Sequence, residues 1–287
     1  KYSKSVKIDD RVLLEVESIS PLAPLHNPAA LKGTRAFMEA IPNALNVACF
    51  DTAFHQTIDE ATYLYPVPYE WYVKYDVRKY GFHGLSHKFI TEQMTDILGK
   101  VPNLIICHIG SGCSITAVRD GKSIDTSMGF TPNAGIMMGT RSGDIDYSLI
   151  SYIMNKEERS LEWVDKKLNF ESGLQGIAGM SDLRDIDRAY EAHEQKVVLA
   201  IDMYTNKIVD YIARFYMKLG GKVDAICFMK KLAPIGVLVD DEKNNSTIVR
   251  KGIEGVVSKE DSSIPVYVLG TDEELMIARD TYEIYCQ

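Results

Sequence analysis

Residues 104–128 restrict the fold more tightly than any other stretch of the chain. LIICHI (104–109) is an apolar run of strand length, GSG (110–112) a tight glycine turn, and CSITAVR (113–119) a second strand. Asp120-Gly121 is the dipeptide favoured in two-residue hairpins, and it leads into a third strand, KSIDTSM (122–128). Gly110 and Gly112 keep side chains off the first turn, so backbone N–H groups there can approach a phosphate. A Gly-x-Gly alone is common; the three strands around it give it weight. Cys107, His108 and Cys113 lie nearby, but their spacing matches no zinc site and a fourth ligand is missing.

Three more segments bring titratable groups to turns. Asp125–Asp146 (DTSMGFTPNAGIMMGTRSGDID) has no charge between Asp125 and Arg141. A long uncharged, glycine-rich stretch closing on one arginine is poor surface and poor amphipathic helix. It reads as a buried loop system that aims the Arg141 guanidinium into a cleft, with Asp144 and Asp146 orienting it. In RKYGFHGLSH (78–87), Gly81 and Gly84 bracket Phe82-His83, so a tight turn can present the imidazole. Ser86 can cap a helix to about Leu98 with Phe89, Ile90, Met94, Ile97 and Leu98 inward. NVACF (46–50) is a short buried strand ending on Asp51. A carboxylate there suits either a ligand group at a strand end or an ordinary cap.

The rest of the chain reads as alternating helices and strands. Prolines 21, 24 and 28 break up the start, and a helix follows over Ala29–Ala40. Residues 62–82 are aromatic-rich and irregular, and helices fall at about 147–158 and 160–168. ESGLQGIAGMSDLRDI (171–186) is a second glycine-spaced loop, and Val197–Leu219 a long helix with a core stripe. VDAICF (223–228) and Pro265–Leu269 are strands on either side of a polar 240–263 region. Thr271 and Glu274 have capping-box spacing, which leaves Glu273 at the strand-to-helix junction facing a cleft.

At 287 residues the chain has room for two ordinary domains or one large one. Apolar content of 46% and charged content of 25% are those of a soluble protein, without an apolar run near the ~20 residues that span a bilayer. The start, KYSKSVKIDD, is no signal peptide. Five scattered cysteines favour a reducing compartment over a disulfide framework. A net charge of -8 argues against nucleic acid, so anionic substrates need local Arg, Lys and His to hold them.

PLAPLHNPAAL, FDTAFHQT, KYGFHGLSH, the DTSMGFTP…MMGTRSGDID block, SGLQGIAGMSDLRDI and TDEELMIARDT stand in order along nearly the whole chain. Together they resemble the acetate kinase family, of the acetate and sugar kinase/Hsc70/actin superfamily. The resemblance implies an α/β fold of two actin-like (RNase H-like) ATPase domains, the N-terminal one incomplete. Residues 1–51 and 275–287 would be its remainder, and 52–274 the C-terminal domain. It implies reversible transfer of the ATP γ-phosphoryl group to acetate, with Mg²⁺ or Mn²⁺, in a cytoplasmic homodimer that engages neither nucleic acid nor membrane. It assigns catalysis to Asp51, His83 and Arg141, and the metal to Glu273. Leu25, His26, Phe82 and Pro132 would hold the acyl group. His108, Gly110, Ser111 and Gly112 with Asp182, Leu183 and Arg184 would hold the nucleotide.

Departures from the family pattern are local. The family's first strand and Asn-Ala-Gly-Ser-Ser-Ser loop are missing, as is its His-Arg-Val-Val-His-Gly-Gly segment. MKKLAPIGVLVDDEKN stands where an adenosine loop is expected. Ser111 replaces the usual Asn of the glycine turn, and Asn133-Ala134 a common Leu-Glu. The expectation is that these residues are part of a longer polypeptide. Propionate kinase, a pyrophosphate-using relative and a non-catalytic module with the same fold stay open as alternatives.

Overall fold

The computed structural model describes residues 2–20, 27–227, 237–247 and 254–286. Strands β1 (Val6–Lys7) and β2 (Val47–Ala48) make a small antiparallel sheet of their own. The main sheet contains β3 (Leu104–Ile109), β4 (Cys113–Arg119), β5 (Lys122–Thr126), β6 (Ala225–Cys227), β7 (Glu254–Val256) and β8 (Val266–Leu269), in the order β5-β4-β3-β6-β8-β7. β3, β4 and β5 form the expected antiparallel meander. Asp120 and Gly121 turn its hairpin at φ 48° and 72°, the left-handed pair such a turn requires. β6 and β8 join in parallel with β3, and β7 closes the far edge antiparallel to β8.

The period of two along β3 sorts the core into two layers. Ile105 faces one side with Ile115, Ala117, Ile208, Ile212 and Phe215, the last three from the helix Gln195–Lys218. Leu104 and Ile106 face the other with Phe89, Ile90, Met94 and Met276, from the helices Gly84–Leu98 and Glu273–Tyr285. A sheet covered on both faces needs near-continuous apolar strands, which LIICHI and AIC supply. Phe215, Ile208 and Leu104 are wholly buried, each worth about 1.5–3 kcal/mol relative to exposure.

Local differences from expectation follow from competing caps and contacts. The helix expected to start at Ser86 starts at Gly84 with His83 as its cap residue; Ser86 sits inside it, buried, with its hydroxyl on His108. Asp272, not Thr271, caps the last helix by accepting from Leu275 N–H, because its carboxylate is one residue closer to the first turn. Residues 62–82 are not wholly irregular: the short helix Glu60–Tyr63 runs into their start, and Tyr69–Tyr75 is a second one within them. The second glycine-spaced loop is largely helical, as Gly173–Ala178 and Leu183–Glu191.

Candidate active site

The carboxyl ends of the parallel strands β3, β6 and β8 point the same way, which is where open α/β sheets hold ligands. A cavity of about 360 Å³ lies there, with His108, Cys227, Leu269, Thr271 and Leu183 in its wall. At its rim the β3–β4 glycine turn carries the convergence that defines the site. A Cβ added to Gly112 would stand 3.0 Å from Arg141 Nη2 and 3.4 Å from His83 Nε2. A Cβ on Gly110 would come 3.7 Å from His108 Nε2. Segments far apart in sequence thus bring a guanidinium and two imidazoles to one bare stretch of backbone.

His83 is delivered by an unusual cap. Its backbone is left-handed, φ 59° and ψ 26°, which costs an L-residue roughly 1–2 kcal/mol. Asp51 offsets that cost: its Oδ2 accepts from His83 N–H at 2.6 Å, and its carbonyl accepts from Gly84 N–H at 2.8 Å. A carboxylate at a helix N-terminus is favoured by the axial dipole, and a hydrogen bond to a charged group contributes about 1.5–3 kcal/mol. Gly84 has to be glycine, since a Cβ there would meet Asp51 O at 2.2 Å. Asp51 is therefore a cap, for a helix of another segment, and through that cap it sets His83. The His83 ring stacks on His108, centroids 4.0 Å apart and planes 25° apart. Phe82 carries its carbonyl 3.0 Å from Nε2 of buried His55, whose pKa burial lowers to about 4.

Arg141 is held by a zipped loop. Met138 N–H donates to Arg141 O at 3.1 Å, Ser172 N–H to Thr140 O at 3.0 Å, and Leu174 N–H to Met138 O at 2.9 Å. Gly173, at φ 62°, makes this possible, because a Cβ would meet Met138 O at 2.1 Å. Arg141 Nη1 donates to Pro132 O at 2.6 Å, which ties the expected acyl wall to the guanidinium. Burial lowers the Arg141 pKa, with Cys113 opposing weakly, and no carboxylate pairs with it among the described residues. Asp144 and Asp146 do not orient it as expected. Asp144 accepts from Gly135 N–H at 2.7 Å and Tyr211 OH at 2.5 Å, and Asp146 from Ser148 N–H at 2.9 Å. They lock the loop rather than the arginine.

Glu273 opens the last helix, and its pKa is raised by burial first and then by the charges of Asp51 and Glu274. Two carboxylates that penalise each other's charge are a setting a hard divalent cation relieves. Among the described residues no group of three or more His, Cys, Asp or Glu is placed to hold a metal ion. On the neighbouring edge, Asp182 caps Leu183–Glu191, and Arg184 forks onto its carboxylate at 3.0 and 2.6 Å. That fork holds the Asp182 pKa well below the usual range, although both groups are exposed. Ser111 and Ser181 approach each other across Gly139, with Ser111 O 3.5 Å and Ser181 Cβ 3.6 Å from where its Cβ would be. Leu25 and His26 lie outside the described residues.

Two features escaped sequence reasoning. Ser114 and His87, both fully buried, stand behind His83, and Asp125 is a buried charge hub with Lys79, Lys218 and Arg214. Ser114 and Thr116 recurring along an otherwise apolar strand was the available signal for the first.

The model of the acetokinase family matches residues 1–279. Acetate kinase of Shouchella clausii is 46% identical over 304 residues, covering 99% of this chain and 75% of that protein. A crystal structure of Porphyromonas gingivalis acetate kinase superposes with a TM-score of 0.91 at 39% identity, covering 99% of this chain and 75% of that one. A propionate kinase from Francisella tularensis superposes with 0.93 at 40%, covering 99% and 76%.

Proposed function

Because the chain belongs to the acetokinase family, we propose that it reversibly transfers the γ-phosphoryl group of ATP to acetate, giving acetyl phosphate and ADP. The observation that carries this reading is the Arg141 guanidinium, half-buried without a carboxylate partner among the described residues, beside His83 over Gly112. Transfer between two anions needs charge neutralisation and alignment more than covalent help. Acetate is already ionised, so no general base is required. Its oxygen attacks the γ-phosphorus in line as the bond to ADP breaks, and Arg141 and His83 donate to the oxygens in flight.

The remaining roles rest on membership of the family. In this reading Pro132 and Phe82, with Leu25 and His26 from outside the described residues, serve the acetate methyl; His108, Gly110, Ser111, Gly112, Asp182, Leu183 and Arg184 serve the nucleotide. Asp51 and Glu273 would hold Mg²⁺ or Mn²⁺, which supplies positive charge to the polyphosphate. Residues 1–51 and 275–287 belong to an N-terminal actin-like domain and 52–274 to the C-terminal one. The protein works as a cytoplasmic homodimer, and five free thiols support the reducing compartment.

A second reading, propionate kinase, draws on the similarity to the Francisella tularensis enzyme. One methylene in an apolar pocket discriminates by only ~10–200-fold. With ATP, Mg²⁺ and hydroxylamine, acetate should yield acetyl hydroxamate in step with ADP. Higher kcat/KM on propionate would move the assignment to the second reading; no ATP-dependent hydroxamate from either acid would refute both.

A further inference from the structure

Four of the six histidines, His55, His83, His87 and His108, meet behind the β3–β4 turn. Buried Ser114 on β4 joins two of them, its Oγ 2.9 Å from His83 Nδ1 and 2.8 Å from His87 Nε2. A hydroxyl has one proton and two lone pairs, so Ser114 can donate to only one ring. His87 decides which. It is wholly buried, and burial, followed by the neighbouring His55, His108 and His83, pushes its pKa well below the ordinary value. It is therefore neutral, with a single N–H. Its Nδ1 has no hydrogen-bond partner among the described residues.

A proton on that Nδ1 would be an orphaned buried N–H, a rarity in folded proteins. A proton on Nε2 instead donates to Ser114. The Ser114 hydroxyl hydrogen then has one acceptor left among its partners, His83 Nδ1. We infer that Ser114 and His87 are positioning residues that hold His83 as its Nε2–H tautomer. The chain of donors runs His87 Nε2–H to Ser114 Oγ–H to His83 Nδ1. Its outcome is a donor, rather than a lone pair, at the His83 nitrogen that stands with Arg141 Nη2 over Gly112. The opposite tautomer would turn a lone pair toward anionic oxygens and oppose the arginine.

What the donor acts upon rests on the phosphoryl-transfer reading, whereas the tautomer does not. Nuclear magnetic resonance of the intact protein, labelled with ¹⁵N-histidine and free of substrate, reads it directly at neutral pH. His83, assigned by its loss in His83→Gln, should show an unprotonated Nδ1 and a protonated Nε2. A protonated Nδ1 overturns the proposal whatever the activity. The expected tautomer in a protein that makes no acyl phosphate overturns the functional reading alone. In kinetics, Ser114→Ala should lower kcat by roughly 10–100-fold with KM little changed, short of the ~10⁴ lost when a triad histidine is set in the wrong tautomer. Ser114→Thr keeps the hydroxyl and should restore most of that loss. Equal kcat for the Ala and Thr variants overturns the proposal.

Discussion

Asp125 and Arg141 bound one uncharged segment, and their charges are treated in opposite ways. Asp125 is fully buried and compensated: Lys79 Nζ is 2.5 Å away, Lys218 Nζ 2.7 Å and Arg214 Nη2 3.4 Å. Burial pushes its pKa up, but Lys79 and Lys218 outweigh that, and the net shift is down. Arg141 is half-buried and has a carbonyl, Pro132 O, where a carboxylate could have stood. A desolvated ion completed from within is structural, since breaking it leaves charges stranded. A desolvated ion left without a counter-charge costs stability and persists where a ligand completes it. Under the proposed function, the contrast separates the residue that holds this segment in place from the one that would act from it.

Removal of the compensated charge should have the largest effect. Asp125→Asn strands Lys79, which is 12% exposed, and should lower unfolding free energy by about 3–5 kcal/mol in urea titration. The pH dependence gives a second handle. A depressed carboxylate pKa adds stability that is present above the ordinary value of 3.8 and is lost as pH falls through the lower folded pKa. Acid melts of the wild type should show that loss and those of Asp125→Asn should lack it. An Asn variant as stable as the wild type would mean the hub is decoration.

Arg141→Ala comes next. It should cost roughly 10²–10³ in transfer rate while the melting temperature holds or rises, because a desolvated cation disappears with it. A fall in stability with near-normal turnover would reverse the roles given to the two ends. The smallest effect belongs to Arg184→Ala, whose ion pair with Asp182 is open to water and screened. A few-fold rise in the KM for ATP with an unmoved melting temperature is expected; a large loss of kcat would place Arg184 alongside Arg141.

The sheet meander was legible because its signals are local: an apolar run, a Gly-x-Gly turn, and Asp-Gly at a hairpin. Long helices with a three-and-four stripe were legible for the same reason, as in Gln195–Lys218. Caps were not, because several side chains within two residues compete for the same N–H groups. Asp272 displaced Thr271, and His83 with the distant Asp51 displaced Ser86. Asp144 was misassigned because Gly135 and Tyr211, which engage it, adjoin it only in the fold. Ser114, His87 and the Asp125 hub left almost no mark, since a serine in a strand or a lysine before an aromatic has many ordinary uses.

Residue order alone determined which chemical groups this protein owns, and where the chain must turn to expose backbone: Arg141 at the end of an uncharged stretch, His83 between glycines, Gly110 and Gly112 without side chains. Steric freedom and hydrophobic period act over a few residues, so they can be read along the chain. Tertiary structure decided which groups compensate one another. It gave Asp125 three cations and Arg141 a carbonyl, and it linked His83 to Ser114 and His87. Electrostatics and hydrogen bonding in a buried site depend on distances of a few ångströms between distant segments, and only packing sets those distances.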